Sequence, residues 1–222
     1  MSPFRNRREA GERLALELAD LAGKTGVIIL ALPRGGVPVG HELSVILHIP
    51  LDVLVVRKLG VPGHEELAMG AIATGGVRLL NDSLVSALGI PERAVAMVEE
   101  RELEELRRRE RIYRGERPPS DISGKTVVLV DDGIATGSTM MAAIHAVRSR
   151  GAGRIIVASP VAPPSVIRTL LRRADEVRTV LAPEDFGGVG QWYSDFSQTG
   201  DDEVRRLLSG VPHTTVPHDD KP

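Results

Sequence analysis

The 222-residue chain has no cysteine. That excludes disulfides, thiolate zinc sites and a cysteine nucleophile. Aromatic residues are almost missing too, with three phenylalanines, two tyrosines and one tryptophan, and four of these six fall within residues 186–196. Whatever they build is therefore local. Neither sign of charge dominates, since 28 Lys and Arg stand against 30 Asp and Glu for a net charge of −2 and a pI near 6.3. This balance leaves no electrostatic footprint for nucleic acid or an anionic membrane. No apolar run approaches the length of a membrane span, and the start, MSPFRNRREAGERL, lacks the apolar region of a signal peptide. The expectation is a cytoplasmic protein without nucleic-acid or membrane partners. A P-loop is excluded as well, because GxxxxGK[ST] occurs nowhere.

At 42% hydrophobic and 26% charged, the chain can bury one good-sized core. Strand-like and helix-like segments alternate along it, which predicts a parallel, twisted sheet flanked by helices, an α/β fold built from βαβ units. Strands are expected at 27–32, 52–56, 126–131, 154–159 and 176–181. Helices are expected at about 7–21, 37–47, 91–111, 138–150 and 163–173. The first places Leu14, Leu18 and Leu21 on one face and stops at Gly23.

The most informative stretch is VVLVDDGIATGST, residues 127–139. A continuous β-branched and leucine run reads as a strand buried on both faces, so Asp131 and Asp132 fall at its carboxyl end, where open α/β sheets bind ligands. Behind them come Gly133, Ile134, Ala135, Thr136, Gly137, Ser138 and Thr139, a small, hydroxyl-rich turn. Met140, Ala143, Ile144 and Val147 then mark one face of an amphipathic helix. Free amides and the positive dipole end make such a helix start a site for a phosphate dianion. Two carboxylates would repel that phosphate. Their chemistry fits another task, accepting hydrogen bonds from ribose hydroxyls or reaching magnesium through water.

This run closely resembles the phosphoribosyl diphosphate (PRPP) motif of the type I phosphoribosyltransferases. The resemblance implies that Asp131 and Asp132 hold the ribose hydroxyls and that the 133–139 turn holds the 5′-phosphate. It also implies Mg2+ as cofactor and a small-molecule acceptor as second substrate, in nucleotide metabolism. It admits a homodimer. A second turn, Leu32-Pro33-Arg34-Gly35-Gly36-Val37, also joins a strand end to a helix start. It is similar to the family's pyrophosphate loop, which assigns Arg34, Gly35 and Gly36 to the diphosphate and brings a non-proline cis peptide often found in that loop, for which Arg34-Gly35 is the bond in question.

Arg57 and Lys58 precede a Gly- and Pro-containing stretch, LGVPGHEELAMGAIA. This resembles the family's flexible catalytic loop, with the two cations neutralising a departing diphosphate while the loop closes. Glu65 and Glu66 there are open to two readings, magnesium or substrate contact on one hand and plain solvation on the other. The stretch 91–114 mixes acids and bases, reads as a solvated, salt-bridged helix inserted before the PRPP strand, and offers a basic end at Arg107–Arg111 with Arg114.

For the aromatic cluster two readings also stay open. One is a satellite core that ties down the C-terminal segment. The other is a hood over a planar base. The hood resembles that of the hypoxanthine-guanine transferases, and by that match Phe186 stacks the base, Val189 lies near it, and Asp195 helps position magnesium or diphosphate. Ala135 points elsewhere, because 6-oxopurine transferases carry an aspartate general base at this turn position, whereas adenine and several other transferases share Ala-Thr-Gly. The expected organisation is one type I phosphoribosyltransferase core at 1–210 with a hood at 182–199, a helical insertion at 91–114 and a disordered tail at 211–222. The activity implied is transfer of a 5-phosphoribosyl group to a nitrogen acceptor. The alternative is a PRPP-sensing regulator of the same fold.

Overall fold

In a computed structural model, residues 3–211 are described. Five strands form a parallel sheet: β1 (Val27–Ala31), β2 (Leu51–Val53), β6 (Thr126–Val130), β7 (Arg154–Val161) and β8 (Glu176–Leu181), in the order β2-β1-β6-β7-β8. Strand β1 is buried throughout, and β6 is buried beyond its first residue, as continuous apolar runs covered on both faces should be. Alternate residues feed two cores. Ile29, Ala31, Val128, Val130 and Ile156 face helices α1 (Arg7–Glu17) and α2 (Gly36–Leu47), while Ile28, Leu30, Val127, Leu129 and Ile155 face α5 (Ser138–Ser149) and α6 (Pro164–Leu170). The expected α5 stripe, Met140, Ala143, Ile144 and Val147, is fully buried.

Two expectations needed correction. Residues 59–73 are not a loop but most of a three-stranded antiparallel sheet, β3 (Val56–Val61), β4 (His64–Ala73) and β5 (Val77–Leu80). The physical reason lies in Pro62-Gly63, where fixed proline φ followed by a glycine at φ 80° closes a tight turn between paired strands. The strand expected at 52–56 correspondingly splits, so Arg57 and Lys58 lie on β3 and not at the end of a parallel strand. Helix α4 (Glu92–Arg114) is also more than a solvated face. Its apolar side, with Val95, Val98, Leu106 and Tyr113, joins the main core against β3 and α7 (Asp201–Ser209). Arg114, expected at an exposed basic end, is buried, with its Nε donating to Asp52 at 2.8 Å and Nη2 to the Val53 carbonyl. Short helix α3 (Asp82–Ala87) and α7 were not among the expected elements, although Val204, Leu207 and Leu208 fall at helical spacing along α7 and, with Val211 just after it, pack into the main core. Of the expected tail, Val211 is buried and the rest lies outside the described residues.

Candidate active site

Strands β1 and β6 are adjacent and parallel, so the turns that leave their carboxyl ends emerge side by side. They meet at the acid pair. A β-carbon built on Gly35 would lie 2.0 Å from Asp132 Oδ2, and one on Gly36 would lie 2.6 Å from the Val130 carbonyl. Both glycines have ordinary room in φ, with Gly35 at −60°, so what they supply is space. The cis peptide of this loop joins Pro33 to Arg34, one bond before Arg34-Gly35.

On the β6 side, Ile134 is buried and ties the turn to β7 through its amide and the Val161 carbonyl at 2.9 Å. Ala135 and Thr136 are exposed, and among the described residues no protein acceptor takes the amides of Ala135, Thr136 or Gly137. Gly137 caps α5 with φ 76°, a left-handed conformation natural to glycine. The Thr136 and Ser138 hydroxyls stand 3.2 Å apart, and Thr139 follows in the first turn of α5. A helix start with open amides and adjacent hydroxyls is a cradle for a dianion.

Asp131 Oδ1 accepts from the Asp132 amide at 2.9 Å and has no cation partner among the described residues. Burial, then the neighbouring Asp132 charge, holds its carboxyl well above the usual range. Burial also raises Asp132, though the Arg7 guanidinium opposes it. Arg7 Nε donates to Asp132 Oδ2 at 2.7 Å, and Tyr193 Oη donates to the Asp132 carbonyl. Sequence reasoning missed both residues. Asn6 and Glu9 form the start of α1, with the Glu9 amide on Asn6 Oδ1 at 3.0 Å, and an arginine in a first helical turn opposes the helix dipole. That mismatch was the available signal that a carboxylate waits nearby.

The expected cations are partly engaged. Arg34 Nη1 is 3.8 Å from Asp201, which also accepts from Tyr113 Oη at 2.7 Å. Arg57 Nε donates to Glu102 at 2.8 Å, whereas Lys58 is exposed and shares a cavity of about 410 Å³ with Ser138, Met141 and His145. Glu65 and Glu66 are exposed on the hairpin with no side-chain partner among the described residues.

The aromatic segment is a satellite core. Phe4, Val161, Leu181 and Tyr193 are buried together, and Phe186 stacks on Trp192 with ring centroids 6.4 Å apart. Val189 reaches the acid turn, since a β-carbon on Gly133 would lie 2.3 Å from its Cγ1. Asp195 is exposed, accepts from the Ser197 amide at 3.0 Å, and lines a cavity of about 570 Å³ with Arg7, His41 and Glu203.

A family model for the phosphoribosyl transferase domain matches residues 5–195. The chain belongs to that family. A protein provisionally named phosphoribosyl transferase in two strains of Mycobacterium tuberculosis is 47% identical over 208 residues, which are 94% of this chain. The chain spans 47% of that relative's length. The crystal structure of TT1426 from Thermus thermophilus superposes with a TM-score of 0.84 at 41% identity, covering 95% of this chain and 99% of that one. A uracil phosphoribosyltransferase of a Thermoanaerobacter species is 38% identical over 69 residues, 31% of this chain and 33% of that protein. The transferase domain thus has the parallel core read from its sequence, together with a small antiparallel sheet that was not read. Among the described residues no helix is long and apolar enough to cross a membrane.

Proposed function

We propose that this domain transfers the 5-phosphoribosyl group of PRPP to a nitrogen acceptor and releases diphosphate. The observation that carries the reading is the convergence of two strand-end turns on one acid pair, with Gly35 against Asp132 and an amide-lined helix start behind it. The 5′-phosphate sits on the 133–139 turn, Asp131 and Asp132 accept from the ribose hydroxyls, and Arg34, Gly35 and Gly36 meet the diphosphate. Lys58 and Arg57 neutralise the leaving group, which for Arg57 means exchanging Glu102 for phosphate. Transfer passes through an oxocarbenium-like ribose, so positioning and water exclusion matter more than a protein nucleophile.

The donor set fits magnesium. Two adjacent carboxylates are present, while no group of three or more His, Cys, Asp or Glu among the described residues forms a metal cage. Magnesium keeps its waters and is commonly held by one or two carboxylates plus substrate phosphates. Asp131 and Asp132 would hold it through water, and when bound it supplies charge neutralisation on the diphosphate.

The acceptor is approached through Ala135, which is exposed on the turn and has no proton to accept or give. General-base catalysis is typically worth about a hundredfold to ten-thousandfold, so hypoxanthine and guanine are expected to be poor acceptors. The test is diphosphate release from PRPP and magnesium with a panel of purines, pyrimidines including uracil, and orotate. One acceptor turning over well above hypoxanthine and guanine supports the reading. PRPP binding without turnover on any acceptor would return the sensor function, and equal rates with hypoxanthine or guanine would overturn the argument from Ala135.

A further inference from the structure

Asp132 is held from two places far from it in sequence, Arg7 and the 193–197 segment. The Arg7 guanidinium donates through Nε to Asp132 Oδ2 at 2.7 Å and through Nη1 to the Ser197 carbonyl at 2.7 Å. Its carbon lies 4.1 Å from the centre of the Phe196 ring and 6.0 Å from that of Tyr193, whose hydroxyl holds the Asp132 main-chain carbonyl. Both partners of the ion pair are largely withdrawn from water, at 12% and 13% side-chain exposure, so this is not a screened surface contact. The χ2 torsion of an aspartate is broad and two-fold. A planar guanidinium that is itself fixed by a carbonyl and an aromatic face removes that freedom.

Resting on the PRPP reading above, we infer that Arg7 is a positioning residue for sugar recognition: by taking Oδ2 of Asp132 it aims Oδ1 at a ribose hydroxyl. Helix α1 and the 193–197 segment thereby act on the donor without touching it. A second role for a cation here would be direct attraction of phosphate. The two roles separate by ligand, because lost aim weakens only ligands that carry the sugar, whereas lost charge weakens every phosphate ligand.

The experiment is calorimetric titration of the whole chain with magnesium PRPP and, separately, with metal-free diphosphate, so that the control ligand does not depend on magnesium held by the acid pair. Arg7→Met keeps an unbranched stem over Phe196. Removing a hydrogen bond to a charged group should weaken PRPP by about tenfold to a hundredfold, with diphosphate changed by less than about twofold. Arg7→Lys, which keeps one donor and loses the fork, should recover part of the loss. A folded Arg7→Met protein with wild-type PRPP affinity, or with equal losses on both ligands, would overturn the inference. Should Arg7→Met not fold, Phe196→Ala carries the test, since losing the ring under the guanidinium should cost about twofold to fivefold on PRPP alone, and an unchanged PRPP affinity would overturn it. A wild-type protein that binds diphosphate but not PRPP would overturn the donor reading itself, a different result from any of these.

Discussion

The two turns of the site use glycine for different reasons. Gly35 and Gly36 have backbone conformations that any residue could share, but Asp132 and the Val130 carbonyl occupy the space a side chain would need. Gly137 is the reverse case in large part, with φ at 76° and the Val166 Cγ1 2.9 Å from a would-be β-carbon. The first turn is tightened by Asp132 and the end of β6, and the second by backbone conformation and α6. Substitution in the first should therefore damage function before fold, and in the second fold along with function.

The largest effect expected is from Gly35→Ala. Its methyl would displace the Asp132 carboxylate, and misplacement of a reacting group by about 1 Å can cost about a hundredfold, so turnover should fall by that much or more. Overpacking costs typically about 1–3 kcal/mol, which a urea melt will read. Wild-type turnover would break the proposed division of labour. Next come Asp131→Asn and Asp132→Asn, which remove charged acceptors worth about tenfold to a hundredfold. PRPP affinity should fall by that factor while the affinity for metal-free diphosphate holds, and equal weakening of both would indicate a general defect.

Smaller is Gly137→Ala, where the left-handed backbone alone costs about 1–2 kcal/mol. Pairing it with Val166→Ala should restore the part due to the contact and leave the conformational part, measured by urea denaturation. Complete restoration would show that space, as at Gly35, is the whole cause. Gly137→Val would be a packing variant as much as a cradle variant, because of the Val166 contact.

The smallest effect concerns pH. Asp131 has its carboxyl held above the ordinary value of 3.8, so the folded protein binds this proton more tightly than the unfolded chain. Stability from this group is then present below 3.8 and lost as pH rises through the raised value. Asp131→Asn, which cannot ionise, should melt higher than wild type at neutral pH, with the gain shrinking as pH falls toward 3.8. A gain that does not shrink would place its cause elsewhere. Weaker donor binding in a more stable protein is the pattern expected of a residue kept for function.

What the sequence disclosed was whatever is local. The acid pair, the cradle and the buried stripe of α5 all lie within residues 127–147, and the strand run, the turn residues and the helix period agree with each other there. The hairpin was misread because Pro62-Gly63 marks loops and tight turns alike, and only the pairing of β3 with β4 decides between them. Arg57 looked free because Glu102, 45 residues later, is one acid among many on a charged helix. Arg7 and Asp132 are separated by 125 residues, and no periodicity or motif connects them. The aromatic cluster was legible as something local, yet its larger role comes from Phe4, which bridges to Tyr193 from the far end of the chain.

That bridge has a temporal meaning. The Phe4 amide bonds the Trp192 carbonyl at 2.8 Å, the Ser194 amide bonds the Phe4 carbonyl at 2.7 Å, and the Asp195 amide bonds the Arg5 carbonyl at 2.8 Å. During synthesis the 133–139 turn can be tied down once β7 has emerged and the Val161 carbonyl accepts from the Ile134 amide, but the clasp over Asp132 closes only after residue 197 has left the ribosome. Closing a loop of this length costs chain entropy that local elements do not incur. The domain thus completes the turn behind β6 before the clasp on its acid pair, and a nascent chain stalled before Tyr193 would carry Arg7 without the Phe196 ring and Ser197 carbonyl that seat it, and Asp132 without its tyrosine.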